Sequence, residues 1–115
     1  MIFDGRAYAG LIIEKLKERR EMLSVEPHLV WLCVGEDEAS VMYGKLKARV
    51  AEKLGIKFTK VYLGNEIDEE DLKSEIRKYC EDREVHGVMV QLPAKVKGNL
   101  YRVLGEIWVT KDVDC

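Results

Sequence analysis

The stretch Val34-Gly35-Glu36-Asp37-Glu38-Ala39-Ser40-Val41-Met42-Tyr43-Gly44-Lys45-Leu46-Lys47-Ala48-Arg49-Val50-Ala51-Glu52-Lys53-Leu54-Gly55-Ile56 decides how the chain folds. It follows the almost wholly apolar run His28 to Val34 and reads as the end of a buried strand, a tight acidic turn, and a long helix closed by Gly55. Capping candidates at Asp37 and Ser40, apolar residues at Val41, Met42, Leu46, Val50 and Leu54, and the closing glycine carry the helix. Tyr43 and Lys47 stand four residues apart, so both rise from one helix face, where an aromatic plate and an amine can meet the same ligand.

Outward from this stretch, helices and strands alternate. Met1-Ile2-Phe3 could be a short edge strand, and Asp4-Gly5 turns into a first helix with Ala9, Ile12, Ile13, Leu16 and Leu23 at helical spacing, an amphipathic covering helix. Glu26-Pro27 ends that pattern, because the residue before a proline is pushed out of helical geometry. Leu29 to Val34 shows no polar alternation, as in a parallel strand covered on both faces. Phe58 to Leu63, with Lys60 in its middle, reads as a strand nearer an edge, closed by Gly64-Asn65. Asp68 can cap a helix with Leu72, Ile76, Tyr79 and Cys80 on one stripe. Val85 to Leu92 is a third buried strand, and Asn99 can cap a short helix with Leu100, Val103, Leu104 and Ile107 inward. The alternation implies right-handed crossovers and an α/β fold of three layers, a mostly parallel sheet with helices on both faces.

At 115 residues the chain is the size of one ordinary domain, so residues 1–115 are expected to form a single unit. Apolar residues make up 47% and charged residues 35%; there is no run long enough to cross a bilayer and no leader, which suggests a cytoplasmic protein. A net charge of −2 gives no global field for nucleic acid, although Lys45, Lys47, Arg49, Lys53, Lys57 and Lys60 concentrate positive charge locally. That cluster is either a solvated face or a landing strip for an anionic small molecule. The three cysteines lack metal spacing and read as reduced thiols, Cys33 and Cys80 most simply as core residues.

In open sheets of this class ligands sit outside the carboxyl ends of the strands. The turn Gly35 to Ser40, Gln91 at the end of the third strand, and Asp114 after the short helix are the polar candidates for that rim. His28 and His86 lie at strand starts, on the other rim, so no metal set is expected. Gly35 stands alone, so there is no glycine-rich phosphate loop. Taken singly, each candidate has an ordinary reading: Tyr43 as a core or rim aromatic, Lys47 as a solvated lysine, Gln91 as a loop anchor, Asp114 as a surface charge.

Together they carry a resemblance. Val34-Gly35, Ala39-Ser40, Tyr43, Lys47 and Gly55-Ile56, then Gly87-Val88-Met89-Val90-Gln91-Leu92-Pro93, then Lys111-Asp112-Val113-Asp114, in this order, resemble the signature segments of bifunctional methylenetetrahydrofolate dehydrogenase/methenyltetrahydrofolate cyclohydrolase, the FolD family. The likeness covers essentially this whole chain but only the amino-terminal half of the family's enzyme. It implies oxidation of methylene-tetrahydrofolate with an NADP-type acceptor, then hydrolysis of the methenyl cation to formyl-tetrahydrofolate. It also implies tetrahydrofolate derivatives as ligands and a homodimer for the complete enzyme; the charge balance and the lack of a long apolar run suggest no nucleic acid or membrane partner. By residue matching, Lys47 is the central catalytic group, Tyr43 packs on the folate ring, Gln91 hydrogen-bonds and orients the lysine, Asp114 holds the pterin, and Ser40 joins the substrate contacts.

The chemistry suits these roles. One carboxylate can accept both donors of the pterin edge, tyrosine offers a flat apolar face with a polar tip, and an amine beside a cationic intermediate is favoured in its neutral form. The chain departs from the family at Ala94-Lys95, where a second proline is common, and at Cys115, where glycine is common. No Gly-x-Gly-x-x-Gly follows a strand, so NADP would be bound mainly by a second domain absent from these residues. The alternatives are the substrate domain of a shikimate-dehydrogenase-like enzyme, or a non-catalytic α/β interaction module.

Overall fold

Strand β1 (His28–Val34) is the middle of a three-stranded parallel sheet, between β2 (Lys57–Leu63) and β4 (Gly87–Val90). The computed structural model describes residues 5–92, 94–107 and 111, with side chains from residue 12 onward; the expected strand Met1–Phe3 lies outside them. In register, Trp31 stands beside Lys60 and Met89, and Leu32 beside Val61 and Val90. The central position explains the sequence of β1: both neighbours and both faces are covered, so Val30, Trp31, Leu32 and Cys33 are all buried. The third strand is shorter than its apolar run, because Val85 and His86 lead into it and Gln91 follows it.

The described residues form four helices beside this sheet or stacked on its covering layer. They are α1 (Gly5–Glu21), α2 (Glu38–Leu54), α3 (Glu69–Glu81) and α4 (Leu100–Leu104). On one face Val30, Leu32, Val34, Val88 and Val90 pack against Leu72, Ile76 and Cys80 of α3 and Val103 of α4, forming the larger core. On the other face a smaller cluster holds Trp31, Cys33 and Met89, with Leu29 and Phe58 at its edge. Asp68 and Asn99 cap α3 and α4 as their residue types predict: Asp68 accepts from the Asp71 N–H at 2.8 Å, and Asn99 from the Tyr101 N–H at 2.9 Å. Two further strands, β3 (Ile67–Asp68) and β5 (Val96–Lys97), pair in parallel. At two residues each they are too short to show periodicity.

The first helix departs from expectation, and the inward face of the second is unusual. Helix α1 lies against α2 rather than covering the sheet, so Ile12 and Leu16 stay partly exposed, and Leu23 falls beyond its end. Helix α2 faces the sheet with Ser40, Gly44, Ala51 and Leu54, while Met42, Leu46 and Val50 point outward. The small residues go inward because the indole of Trp31 already fills the space beneath the helix, and a Cβ on Gly44 would meet that ring at 2.6 Å.

At the amino-terminal rim His28 and His86 meet, as their positions at strand starts require. The His28 backbone N–H donates to His86 Nδ1 at 3.1 Å, and the His28 ring shares a 2.7 Å hydrogen bond with Thr59 Oγ1. Burial first, then the Lys57 ammonium, lowers the His28 pKa from its ordinary 6.5. The unfolded chain therefore takes up this proton at a higher pH than the folded one. Stability from this site is complete above pH 6.5 and is lost as the pH falls from there through the lowered folded value. Urea midpoints should fall between pH 7.5 and 5.5, and His28→Gln should flatten that slope; an unchanged slope would remove His28 as its source.

Candidate functional site

The rim at the carboxyl end of β1 is built by a turn with little freedom. Gly35 has φ +84°, and its N–H donates to Leu63 O at 2.8 Å. The side chain of Asn65 occupies the place where a Cβ would project, so glycine is required twice over. Asp37 then caps α2, accepting from the Ser40 N–H at 3.1 Å. The Ser40 hydroxyl, then its N–H, holds the Asp37 carboxyl below the usual carboxylate range. Cys33 donates its thiol to Gly35 O at 3.4 Å, and burial, with the Asp37 charge next, pushes its pKa up. It is a protonated packing residue there, not a nucleophile. Ser40, expected as a substrate contact, is only 2% exposed and engaged with Asp37; it builds the helix start.

One turn further along α2, Tyr43 is 50% exposed and Lys47 half-buried. Helical side chains lean toward the helix amino terminus, so both lean toward the carboxyl rim of the sheet, where α2 begins. Between them Gly44 rests on Trp31. The indole is completely buried, meets the Tyr62 ring edge-on at 5.7 Å and 86°, and lies 6.3 Å from the Phe58 ring.

Gln91 extends the β4 ladder by one bond, its N–H donating to Leu32 O at 2.8 Å. Its side chain falls on the Trp31 face by the alternation of Met89 and Gln91. Its Oε1 accepts from the Trp31 indole N–H at 3.0 Å, and its Nε2 donates to Leu92 O at 2.9 Å. The direct bond from Gln91 to Lys47 implied by the resemblance is not formed here; the indole takes one of the two lone pairs of the carboxamide oxygen. Lys47 itself makes no hydrogen bond or ion pair among the described residues. Trp31 was missed in the sequence because it reads as one more apolar strand residue. Its signal was available: a buried indole N–H needs an acceptor, and a glycine inside a helix marks a close approach.

A cleft of about 430 Å³ opens at this rim between Val34, Glu36, Asp37, Asn65 and Lys95. Tyr43, Lys47 and Gln91 are not among its walls. Asp114 lies outside the described residues. Nearby in sequence, the Lys111 ammonium donates to Cys80 O at 2.6 Å and Asp82 O at 2.7 Å, at the carboxyl end of α3. Among the described residues no group of three or more His, Cys, Asp or Glu side chains could hold a metal.

Residues 3–114 match the family model described as the catalytic domain of tetrahydrofolate dehydrogenase/cyclohydrolase. The bifunctional protein FolD of Caldanaerobacter subterraneus is 33% identical over 115 residues, covering 100% of this chain and 41% of its own length. That of Streptococcus thermophilus is 39% identical over 118 residues, covering 99% and 42%. Among solved structures, the FolD methylenetetrahydrofolate dehydrogenase/cyclohydrolase of Campylobacter jejuni superposes with a TM-score of 0.90 at 35% identity, over 96% of this chain and 40% of its own. The Trypanosoma brucei enzyme, complexed with NADP cofactor and inhibitor, gives 0.89 at 29% identity, over 100% and 40%. The chain thus spans about two fifths of the length of the relatives it matches.

Proposed function

Since the chain belongs to the tetrahydrofolate dehydrogenase/cyclohydrolase family, we propose that it is the folate-binding, catalytic portion of an enzyme that oxidises methylene-tetrahydrofolate and hydrolyses the methenyl product to formyl-tetrahydrofolate. One observation supports this beyond the family match: the face of the sheet to which α2 is bound is also the face on which the Gln91 carboxamide is pinned. Tyr43 and Lys47 on α2 and Gln91 on the strand end can therefore serve one flat, partly charged ligand. The substrate-domain alternative of the shikimate type and the purely structural module lose their ground to the family match.

In the hydrolytic step a water adds to the methenyl carbon, and the amine of Lys47 accepts the proton the water gives up. The tetrahedral carbinolamine then opens by breaking one C–N bond, and the protonated lysine returns a proton to the departing ring nitrogen. Tyr43 supplies the apolar plate for the ring system. Asp114 suits the amino and ring N–H donors of the pterin. NADP, when bound, takes up the hydride of the oxidative step. The described residues offer it no glycine-rich turn at a helix start. A homodimeric complete enzyme in the cytoplasm, supplying one-carbon units for purine biosynthesis, belongs to the same reading; no helix among the described residues is long and apolar enough to cross a membrane.

The test is ligand choice. A folate analogue should bind the complete enzyme and shikimate should not, and Tyr43→Ala should weaken folate binding by about tenfold, the worth of one lost stacking contact. Equal binding of shikimate, or undiminished folate binding by the variant, would count against the assignment.

A further inference from the structure

We propose that Trp31 is a positioning residue for the catalytic amide: its indole N–H fixes which way the Gln91 carboxamide points, and its ring sets how closely α2 approaches that amide. The inference rests on the reading of Gln91 as a site residue and adds to it the group that orients it. An indole N–H can only donate, so the 3.0 Å bond requires the oxygen of Gln91, not its nitrogen, to face Trp31. The second bond, from Nε2 to Leu92 O at 2.9 Å, is consistent with that orientation. What remains of the carboxamide is one N–H and one lone pair, both in defined directions and available to a ligand or to Lys47.

The other end of the same ring decides the position of the helix. Its six-membered edge lies where a Cβ of residue 44 would project, 2.6 Å from that point, so α2 is seated on the indole through Gly44. Gly44 is the residue after Tyr43 and three before Lys47. One rigid, fully buried side chain therefore touches both halves of the site, which are 47 residues apart at Gly44 and Gln91. Edge-on contact with Tyr62 at 5.7 Å keeps the ring from turning. A flexible apolar residue at position 31 would fill the space without fixing either distance or amide orientation.

Trp31→Phe keeps a ring and removes the donor. In the complete enzyme its kcat for methenyl-tetrahydrofolate hydrolysis should fall about tenfold, the size of one neutral hydrogen bond, with KM within about twofold. Trp31→Phe/Gly44→Ala refills the vacated space and should recover the urea midpoint but not kcat. Recovery of kcat along with stability would overturn the proposal, because packing alone would then be the role. Gln91→Leu separates this inference from the reading beneath it: it should abolish hydrolysis and, by nuclear magnetic resonance, expose the Trp31 indole N–H to rapid hydrogen exchange. Full hydrolysis by Gln91→Leu would sink the site reading itself. Loss of hydrolysis in Gln91→Leu together with unchanged kcat in Trp31→Phe would sink only the role of Trp31.

Discussion

Replacing Lys47 by alanine in the complete enzyme should lower methenyl-tetrahydrofolate hydrolysis by about 10²–10⁴-fold, the range for removing a positioned acid–base group. The fold should hardly notice. Lys47 is half-buried and has no hydrogen-bond or ion-pair partner among the described residues, so its removal should change stability by no more than about 0.5 kcal/mol. The contrast between a large kinetic and a small structural effect is what marks a working side chain. Lys47→Arg sharpens the test, because a guanidinium keeps the positive charge but cannot give up its proton at neutral pH. Arginine should be nearly as inactive as alanine. If it restores hydrolysis, the residue acts by charge alone; if the alanine variant hydrolyses at the full rate, the role given to Lys47 is wrong.

The helix bearing that lysine was legible because its ends are written in local chemistry. Asp37 caps it, and Gly55 closes it at φ +70°, a conformation that glycine adopts without strain. The class of sheet was equally plain in the unbroken apolar run of β1. Its strand order was not, since an apolar run states that a strand is covered without naming its neighbours. Nor was the inward face of α2. Large apolar residues normally mark the buried stripe, yet here Met42, Leu46 and Val50 face outward, because the bulk that fills this part of the core comes from Trp31.

The site shows the same division. Tyr43 and Lys47 were visible as a pair because helical spacing alone puts them together. The partner of Gln91 was not, because it lies 60 residues away and its choice depends on which donor reaches the carboxamide oxygen. The sequence suggested the amine; the structure has the indole, which arrives from the protein side, already stripped of water, while the lysine keeps its solvent. Ser40 shows how one hydroxyl at a helix start can serve either a ligand or the protein: here it bonds the carboxyl of the capping Asp37.

Trp31→Ala should cost about 3–5 kcal/mol, the range for emptying a large aromatic from a core. Against a total of about 5–15 kcal/mol for a domain of this kind, that is enough to leave a sizeable fraction unfolded near 37 °C. The loss should not be uniform. The eleven buried residues of the larger cluster, among them Leu72, Ile76 and Val103, hold α3 and α4 to the opposite face and are untouched by the change. The face under α2 has three buried residues, Trp31, Cys33 and Met89, of which Trp31 is by far the largest. Without it, α2 rests on a void beneath Gly44, with neither its Met42 nor its Leu46 turned inward to fill the gap. Amide hydrogen exchange should therefore accelerate first and most in α2, while α3 keeps most of its protection, as expected when one cooperative unit loosens before the rest. Equal acceleration in both helices would mean that the two faces form a single unit. A loss below about 1 kcal/mol would mean that the space collapses readily and that the indole does not set the seat of α2.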